Sequence, residues 1–329
     1  MTSGASRSGV PVVRVAVIGV GHLGKHHARI LSSLPGVEFV GAVDLVRERA
    51  EAAVAAAPGA KAFTDASELF GQVDAIVVAV PTIHHLAVAA PFLERGVAAL
   101  IEKPMAPSLA DADALMALAA KSGAVLAVGH SERFNPAMIA ARPLLTQPRF
   151  VEVHRLSSFP ERSLDVDVVF DVMIHDLDII LSVDGSEVTG VEAVGINVLT
   201  PKVDIANARL KFASGCVANI TASRISREPV RKVRFFQQDS YVSIDYAAKE
   251  VEAWRLISAR PDAGAPDQRE GRPKIEGGPV AVPAGEPLAS ELADFTSAVR
   301  EKRRPTVSGA DGRRALALAT RVNEAMAIR

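Results

Sequence analysis

The sequence predicts a two-part α/β and α+β protein, in which a doubly wound parallel sheet is followed by an open, mainly antiparallel sheet. Three observations carry this prediction. The first third alternates short β-branched runs with amphipathic helical stretches, the pattern of repeated strand–helix–strand units. After about residue 145 the runs become consecutive strands, several alternating apolar and polar residues, as a half-buried antiparallel sheet requires. The length of 329 residues exceeds what one core ordinarily organises, and the expected division is 1–130 and 131–329.

Taken in order, Val12–Ile18 reads as the first strand and Lys25–Leu34 as its helix. Val37–Val43 and Arg47–Ala57 repeat that pair. Asp74–Val80 is almost uninterruptedly apolar, as a strand buried on both faces should be. Ala98–Ile101 and Val125–Val128 follow the same rule. Between those two, a helix is expected from Ser108, a good N-cap, to Gly123, a good stop. In the second part the expected strands are Phe150–Ser157, Val191–Leu199, Ile205–Phe212, Cys216–Ala222, Val230–Phe236 and Tyr241–Tyr246. In the last of these, Val242, Ile244 and Tyr246 face one side, and Tyr241, Ser243 and Asp245 the other. A helix around Asp171–Leu181 interrupts the strands. Ala259–Gly278, polar and rich in Pro and Gly, reads as a surface loop. Helices over Leu288–Lys302 and from near Ser308 close the chain, and no internal repeat is present.

A formal charge of −1, with cations and anions dispersed, argues against nucleic acid or an anionic membrane as partner, since both need a concentrated basic face. The single cysteine, Cys216, cannot form an internal disulfide; within the alternation Cys216, Ala218, Ile220 it reads as a buried strand thiol. Residues Met1 to Gly9 lack the apolar stretch of a signal peptide, and no run approaches membrane-spanning length. The expected location is cytoplasmic.

The loop Gly19-Val20-Gly21-His22-Leu23-Gly24 leaves the first strand and opens the first helix, and Asp44 ends the second strand. A G-x-G-x-x-G string is weak alone, but this context makes it a dinucleotide fingerprint and the first domain a Rossmann fold. Gly19 permits the tight turn, Gly21 the approach of a pyrophosphate, and Gly24 close helix–strand packing; the helix N-terminus then holds the diphosphate. Asp44 suits the two adenosine-ribose hydroxyls and repels a 2′-phosphate, which favours NAD over NADP. Arg47 and Arg49 lie close enough to blunt that repulsion, and fit a solvated helix face equally well.

Other segments hold candidate chemistry. Lys103 sits where the fifth strand ends, at the ligand-binding edge of such a sheet; spacing alone favours a solvated loop lysine capping a neighbouring carbonyl. Asp171, His175 and Asp178 lie at i, i+4 and i+7, one face of a helix, and fit acid–base work or a metal site. We rank a metal site below acid–base work. The pairs His26-His27 and His84-His85 cannot chelate as neighbours on a helix, since adjacent residues point about 100° apart. Arg133 and Asn135, in Gly129-His130-Ser131-Glu132-Arg133-Phe134-Asn135-Pro136, could contact nicotinamide or substrate, or cap and brace the chain.

These segments together resemble the glucose–fructose oxidoreductase/inositol dehydrogenase (Gfo/Idh/MocA) family. The glycine loop, Pro81-Thr82-Ile83-His84-His85, Glu102-Lys103-Pro104, Gly129–Pro136, Asp171–Asp178 and Pro305–Gly312 stand in the family's order over nearly the whole chain. The resemblance implies an NAD-dependent dehydrogenase acting on CH–OH groups. It implies that Lys103 hydrogen-bonds the reacting hydroxyl, that His175 takes its proton and that Asp171 orients the imidazole, with Asp178 a structural partner. It adds Pro81, Thr82, His85, Glu102 and Lys103 to the cofactor contacts of Gly19, Gly21, His22, Leu23, Gly24 and Asp44, and leaves His26, His27 and His84 as surface or helix-end residues. Met173 stands where the family has glycine, and its bulk is expected to narrow or redirect the substrate pocket.

The wording of Val128–Pro136 and Asp171–Asp178 resembles the branch containing UDP-N-acetylglucosamine 3-dehydrogenases, which implies oxidation of a sugar 3-hydroxyl. A nucleotide-sugar diphosphate needs cations, and Arg155 and Arg162 are the candidates, joined by Arg133, Asn135, Lys103 and His175 as substrate contacts; edge-strand and loop charges are the plainer reading of both arginines. Within the same family, an inositol or free-sugar dehydrogenase, a glycosidase with retained NAD and no net redox change, and a non-enzymatic cofactor- or sugar-sensing regulator are the alternatives. The open face of the second sheet makes a homodimer or homotetramer the expected state.

Overall fold

The computed structural model describes residues 11–159, 166–257 and 274–327. By internal packing the chain forms two compact units, Met1–His130 with Leu288–Arg313, and Ser131–Pro287 with Arg314–Arg329. The closing helices, expected wholly in the second domain, are therefore shared between the two.

In the first unit, β1 (Val13–Ile18), β2 (Val37–Val43), β3 (Lys61–Phe63), β4 (Ala75–Val78), β5 (Ala98–Glu102) and β6 (Leu126–Gly129) form one parallel sheet, ordered β3-β2-β1-β4-β5-β6. Every residue of β4, β5 and β6 is buried, as their continuous apolar runs demand. Helices α1 (Gly24–Leu31), α2 (Arg47–Val54), α3 (His85–Glu94) and α4 (Leu109–Ser122) connect the strands. The order turns back between β1 and β4, and ligands of open α/β sheets bind at the carboxyl ends of the strands beside such a point. Helix α4 starts at Ser108, whose Oγ accepts from Asp111 N (3.1 Å), and stops at Gly123 with φ +75°. The short β3 has only three residues, too few to show a period.

In the second unit, β7 (Phe150–Leu156), β8 (Val188–Ile196), β9 (Ile205–Phe212), β10 (Val217–Ser223), β11 (Val230–Phe236), β12 (Ser240–Asp245), β13 (Glu250–Ile257) and β14 (Lys274–Val280) are ordered β14-β13-β12-β11-β7-β10-β9-β8. All neighbours are antiparallel except β7 and β10. Helix α5 (Pro136–Ala141) precedes the sheet, and α6 (Ile174–Asp184) lies between β7 and β8. One sheet face carries the core: Val151, Val153, Ile220, Val233, Phe235, Val242 and Ile244 pack with Ile174 and Leu177 of α6. Strands β13 and β14 depart from expectation. The exposed Trp254 and Leu256 of β13 break the buried alternation, and Gly277-Gly278-Pro279 makes β14 read as a turn, a composition tolerated on an edge strand. Lys274–Gly278 is thus strand rather than loop; the rest of that expected loop lies outside the described residues, as does Arg162.

Helix α7 (Pro287–Glu301) sends Leu292 and Phe295 into the core of the first unit. Helix α8 (Gly309–Ala327) sends Ala315, Leu318, Ala319 and Val322 into that of the second. The glycines of the closing motif have a packing reason: a Cβ on Gly309 or Gly312 would come within 2.7 Å of Leu126 or 2.5 Å of Val128 in β6. Among the described residues no helix is long and apolar enough to cross a membrane.

Candidate functional site

The glycine loop is shaped by its own backbone. Gly19 has φ +86°, and a Cβ there would lie 2.8 Å from the Ala79 carbonyl oxygen. A Cβ on Gly24 would lie 1.8 Å from the Gly19 carbonyl oxygen, whereas one on Gly21 would meet nothing within 4 Å. Two glycines are thus dictated by packing, while the space over Gly21 is open, as approach of a diphosphate to the main chain requires. Helix α1 has no side-chain cap at its start, and its first amides and dipole suit an anion. His22 and Leu23 are exposed on the loop.

Asp44 ties this loop to β2. Its Oδ2 accepts from Val20 N (3.0 Å) and its Oδ1 from Val46 N (2.9 Å). Each carboxylate oxygen keeps a second lone pair, enough for two ribose hydroxyls. Arg47 faces Glu51 at 3.8 Å, both well exposed, the solvated-face alternative. The residues present therefore fit a dinucleotide.

At the carboxyl ends of β4 and β5, Pro81 and Thr82 start a short 3₁₀ turn that leads into α3. His85 is buried, with Nε2 3.0 Å from the Val80 carbonyl and Nδ1 3.3 Å from that of Met105. Burial pushes its imidazole pKa down, outweighing those carbonyls. His85 thus braces the loop after β4 against the turn after β5. The Lys103–Pro104 bond of that turn is cis, and Lys103 is half-buried.

Glu102 has inward partners. Its Oε1 lies 2.7 Å from Nε2 of His27 and its Oε2 accepts from Lys103 N at 3.2 Å. A Cβ on Gly129 would strike this carboxylate at 2.8 Å. His27, expected at a surface or helix end, is fully buried. The signal for it was in the sequence: Gly24, His27, Ala28 and Leu31 fall at i, i+3, i+4 and i+7, the buried stripe of α1.

In the second unit the segment before α6 is a wide π turn, Val169–Met173, a form frequent at functional sites. Asp171 lies within it and His175 just beyond, both half-buried. The regular helical phase assumed for Asp171, His175 and Asp178 is therefore interrupted. Met173 is fully buried in the hydrophobic core and, contrary to expectation, does not line open space. Asp178 is also buried, its Oδ2 accepting from Arg133 Nε at 2.8 Å.

Three expected substrate contacts have structural work. Arg133 is paired with Asp178. Asn135 caps α5 by accepting from Ala137 N (3.0 Å) and donates to Glu132 Oε1 (2.9 Å). Arg155 is buried; its Nε and Nη2 grip Asp176 at 2.7 and 2.8 Å and its Nη1 binds Glu132 at 2.7 Å. Burial works against its charge, but Asp176 and Glu132 outweigh it and hold the guanidinium protonated. A diphosphate would have to displace those carboxylates. The exposed cation beside this cluster is Arg231, paired directly across from Arg155 on the same side of the sheet and close enough to act on Glu132 electrostatically.

Cys216 is buried, and burial pushes its thiol up to about 12, so it stays protonated at neutral pH. Among the described residues no group of three or more His, Cys, Asp or Glu is placed to hold a metal ion.

Comparison with known proteins follows the same division of the chain. A family model described as "Oxidoreductase family, NAD-binding Rossmann fold" matches residues 13–130, and the "GFO/IDH/MocA C-terminal domain" matches 144–239. The chain is similar to UDP-N-acetylglucosamine 3-dehydrogenase of Acidithiobacillus ferrooxidans, 39% identical over 315 residues, which covers 95% of this chain and 97% of that relative. A solved structure of the A. ferrooxidans enzyme matches with a TM-score of 0.86 at 37% identity, covering 95% of this chain and 97% of that one. Inositol 2-dehydrogenase of Rhizobium meliloti is 28% identical over 323 residues, 93% of this chain and 94% of the relative. Levoglucosan dehydrogenase in complex with NADH and L-sorbose shares the fold, with a TM-score of 0.82 at 18% identity over 96% of this chain and 97% of that one.

Proposed function

Because the chain belongs to the Gfo/Idh/MocA family of NAD-dependent oxidoreductases, we propose that it oxidises the 3-hydroxyl of a UDP-N-acetylhexosamine. The observation that carries this reading is the near full-length similarity to UDP-N-acetylglucosamine 3-dehydrogenase, joined to the presence of Lys103, Asp171 and His175 in this chain. When bound, NAD supplies the hydride acceptor.

The protein's own groups divide the remaining work. Gly19, Gly21, His22, Leu23 and Gly24 with Asp44 hold the adenosine diphosphate end, and Pro81 and Thr82 flank the cofactor. Lys103 donates a hydrogen bond to the reacting hydroxyl and stabilises negative charge as it develops. His175 takes the hydroxyl proton, and Asp171 orients its imidazole. Glu102 and His85 act from behind: one bonds the Lys103 amide, the other the adjoining turn. Arg231 takes the place proposed for Arg155 and joins Arg162 as a cation for the diphosphate. Arg231→Gln should raise KM for the UDP-sugar about tenfold with NAD affinity unchanged, and an unchanged KM would remove it from the site.

Two wider properties belong to the same reading. The open face of the second sheet carries Phe150, Phe236 and Tyr241, with ring centroids 5.6 and 5.1 Å apart in sequence across β7, β11 and β12, and the exposed Trp254. Such a face is covered by a second copy in a homodimer or homotetramer. A cytoplasmic location matches a protein whose one thiol is buried and whose cofactor is NAD. The test of function is incubation with NAD and a panel of UDP-sugars, inositols and free hexoses, with mass detection of product. A 3-keto UDP-N-acetylhexosamine formed with equal NADH is expected. Turnover of inositols or hexoses alone, sugar release without NADH, or NAD binding without any turnover would replace this reading by the free-sugar dehydrogenase, glycosidase or sensor alternative respectively.

A further inference from the structure

Arg224, just after β10, heads the large side chains that are fully buried among the described residues. Burying a guanidinium is unfavourable unless charge and hydrogen bonds compensate it, so its partners indicate its purpose. Its Nε donates to Asp204 Oδ1 (2.9 Å), its Nη2 to Thr200 Oγ1 (2.9 Å) and its Nη1 to the Val166 carbonyl (2.7 Å). Asp204 is buried as well, and its Oδ2 also accepts from the amides of Val198, Leu199 and Thr200 at 2.8, 2.7 and 2.9 Å. Burial alone would raise this carboxyl, but those amides outweigh it and hold the pKa well below the usual carboxylate range. The connection between β8 and β9 is thereby closed around one charged group.

That connection reaches the turn that carries Asp171. Val203 N donates to Asp167 Oδ1 (2.9 Å), and the Val203 carbonyl accepts from Val168 N (3.0 Å). The Asp167 carbonyl then accepts from Phe170 N (3.1 Å) and Asp171 N (3.2 Å). Hydrogen bonds joined through the Val203–Asp204 peptide and through Asp167 thus link the end of β10 to the backbone of Asp171. A π turn competes with ordinary α-helix. Moving its entry would change the direction in which Asp171 points relative to His175. Bonds from outside the helix, to Val166, Asp167 and Val168, fix that entry.

We infer that Arg224, Asp204 and Asp167 are positioning residues, a clamp that sets where the wide turn begins and so where Asp171 and His175 point. The inference rests on the assignment of those two residues to proton handling. Arg224→Gln strips a buried carboxylate of its charge partner and could unfold the second unit, so the decisive variants are at the half-buried Asp167. Asp167→Ala removes the acceptor for Val203 N, and Asp167→Asn keeps one. The expected result for Asp167→Ala is a kcat lowered about tenfold or more, with KM for NAD unchanged and faster hydrogen exchange at the amides of Phe170–Ile174. Asp167→Asn should recover most of both. Wild-type kcat and wild-type exchange in folded Asp167→Ala, or no recovery in Asp167→Asn, would overturn the clamp. The exchange measurement needs no substrate, so failure of the UDP-sugar assignment leaves it readable. Perturbed exchange with unaltered kcat on whichever alcohol is oxidised would reduce the three residues to a merely structural role.

Discussion

The glycine loop and the wide turn before α6 fix the course of the main chain by opposite means. At the loop the main chain does the placing: a positive φ at Gly19, contact between Gly24 and the Gly19 carbonyl, and open space over Gly21. One side chain, Asp44, ties it down. At the turn the main chain adopts an uncommon geometry and is held by buried charges, with Arg224 and Asp204 on one flank and Arg155, Asp176 and Glu132 near the start of α6. A backbone-built loop depends chiefly on its glycines and on the one side chain that ties it down. A site built on ion pairs depends on partners far away in sequence, and losing one member leaves the others buried and uncompensated.

The largest effect should come from the groups proposed to react, which tests whether the two regions serve one reaction. Lys103→Met and His175→Asn should each lower kcat by about 10²–10⁴, while equilibrium titration shows NAD still bound. A loss below about threefold in either would assign that residue to the scaffold. Next comes the ion-pair side of the comparison. Arg155→Met leaves Glu132 and Asp176 buried together and should cost about 3–5 kcal/mol in denaturant unfolding; restoring stability by adding Glu132→Gln would confirm electrostatic cause. If Arg155→Met is as stable as the parent, the contrast fails.

On the backbone side, Gly19→Ala and Gly21→Ala should separate. The first forces a side chain into φ +86° against Ala79 and should lower stability by about 1–3 kcal/mol. The second meets no neighbour within 4 Å and should leave the melting temperature unchanged, yet weaken NAD about tenfold. Equal behaviour of the two would contradict the packing assigned to the loop. The smallest effect is in pH. His85 has a folded pKa below its unfolded value because burial penalises the cation. Its contribution to stability is therefore complete above about pH 6.5 and is lost as pH falls through that value toward the folded pKa. Melting temperature should decline over this interval, and less steeply in His85→Gln.

This contrast also explains how much could be read from the sequence. Residues acting through the main chain were legible, because glycine spacing, Ser108 and Gly123 report backbone geometry directly. The parallel strands were legible from uninterrupted apolar runs. Residues acting through long-range side-chain pairs were not: Arg155 looked like a free cation, and Met173 like a pocket wall, because nothing local shows that one meets Asp176 and the other enters the core. His27 lay between these cases, visible in the stripe of α1 while its partner Glu102 was not. Strand β14 was hidden by glycine and proline on an edge.

The most direct test of the central claim is hydride origin. Incubation of the protein with NAD and UDP-N-acetylglucosamine carrying deuterium at C3 should yield NADH that contains the deuterium, together with a 3-keto sugar that does not. Formation of NADH without label, or of labelled sugar unchanged while inositol or free hexose is oxidised, would contradict the assignment.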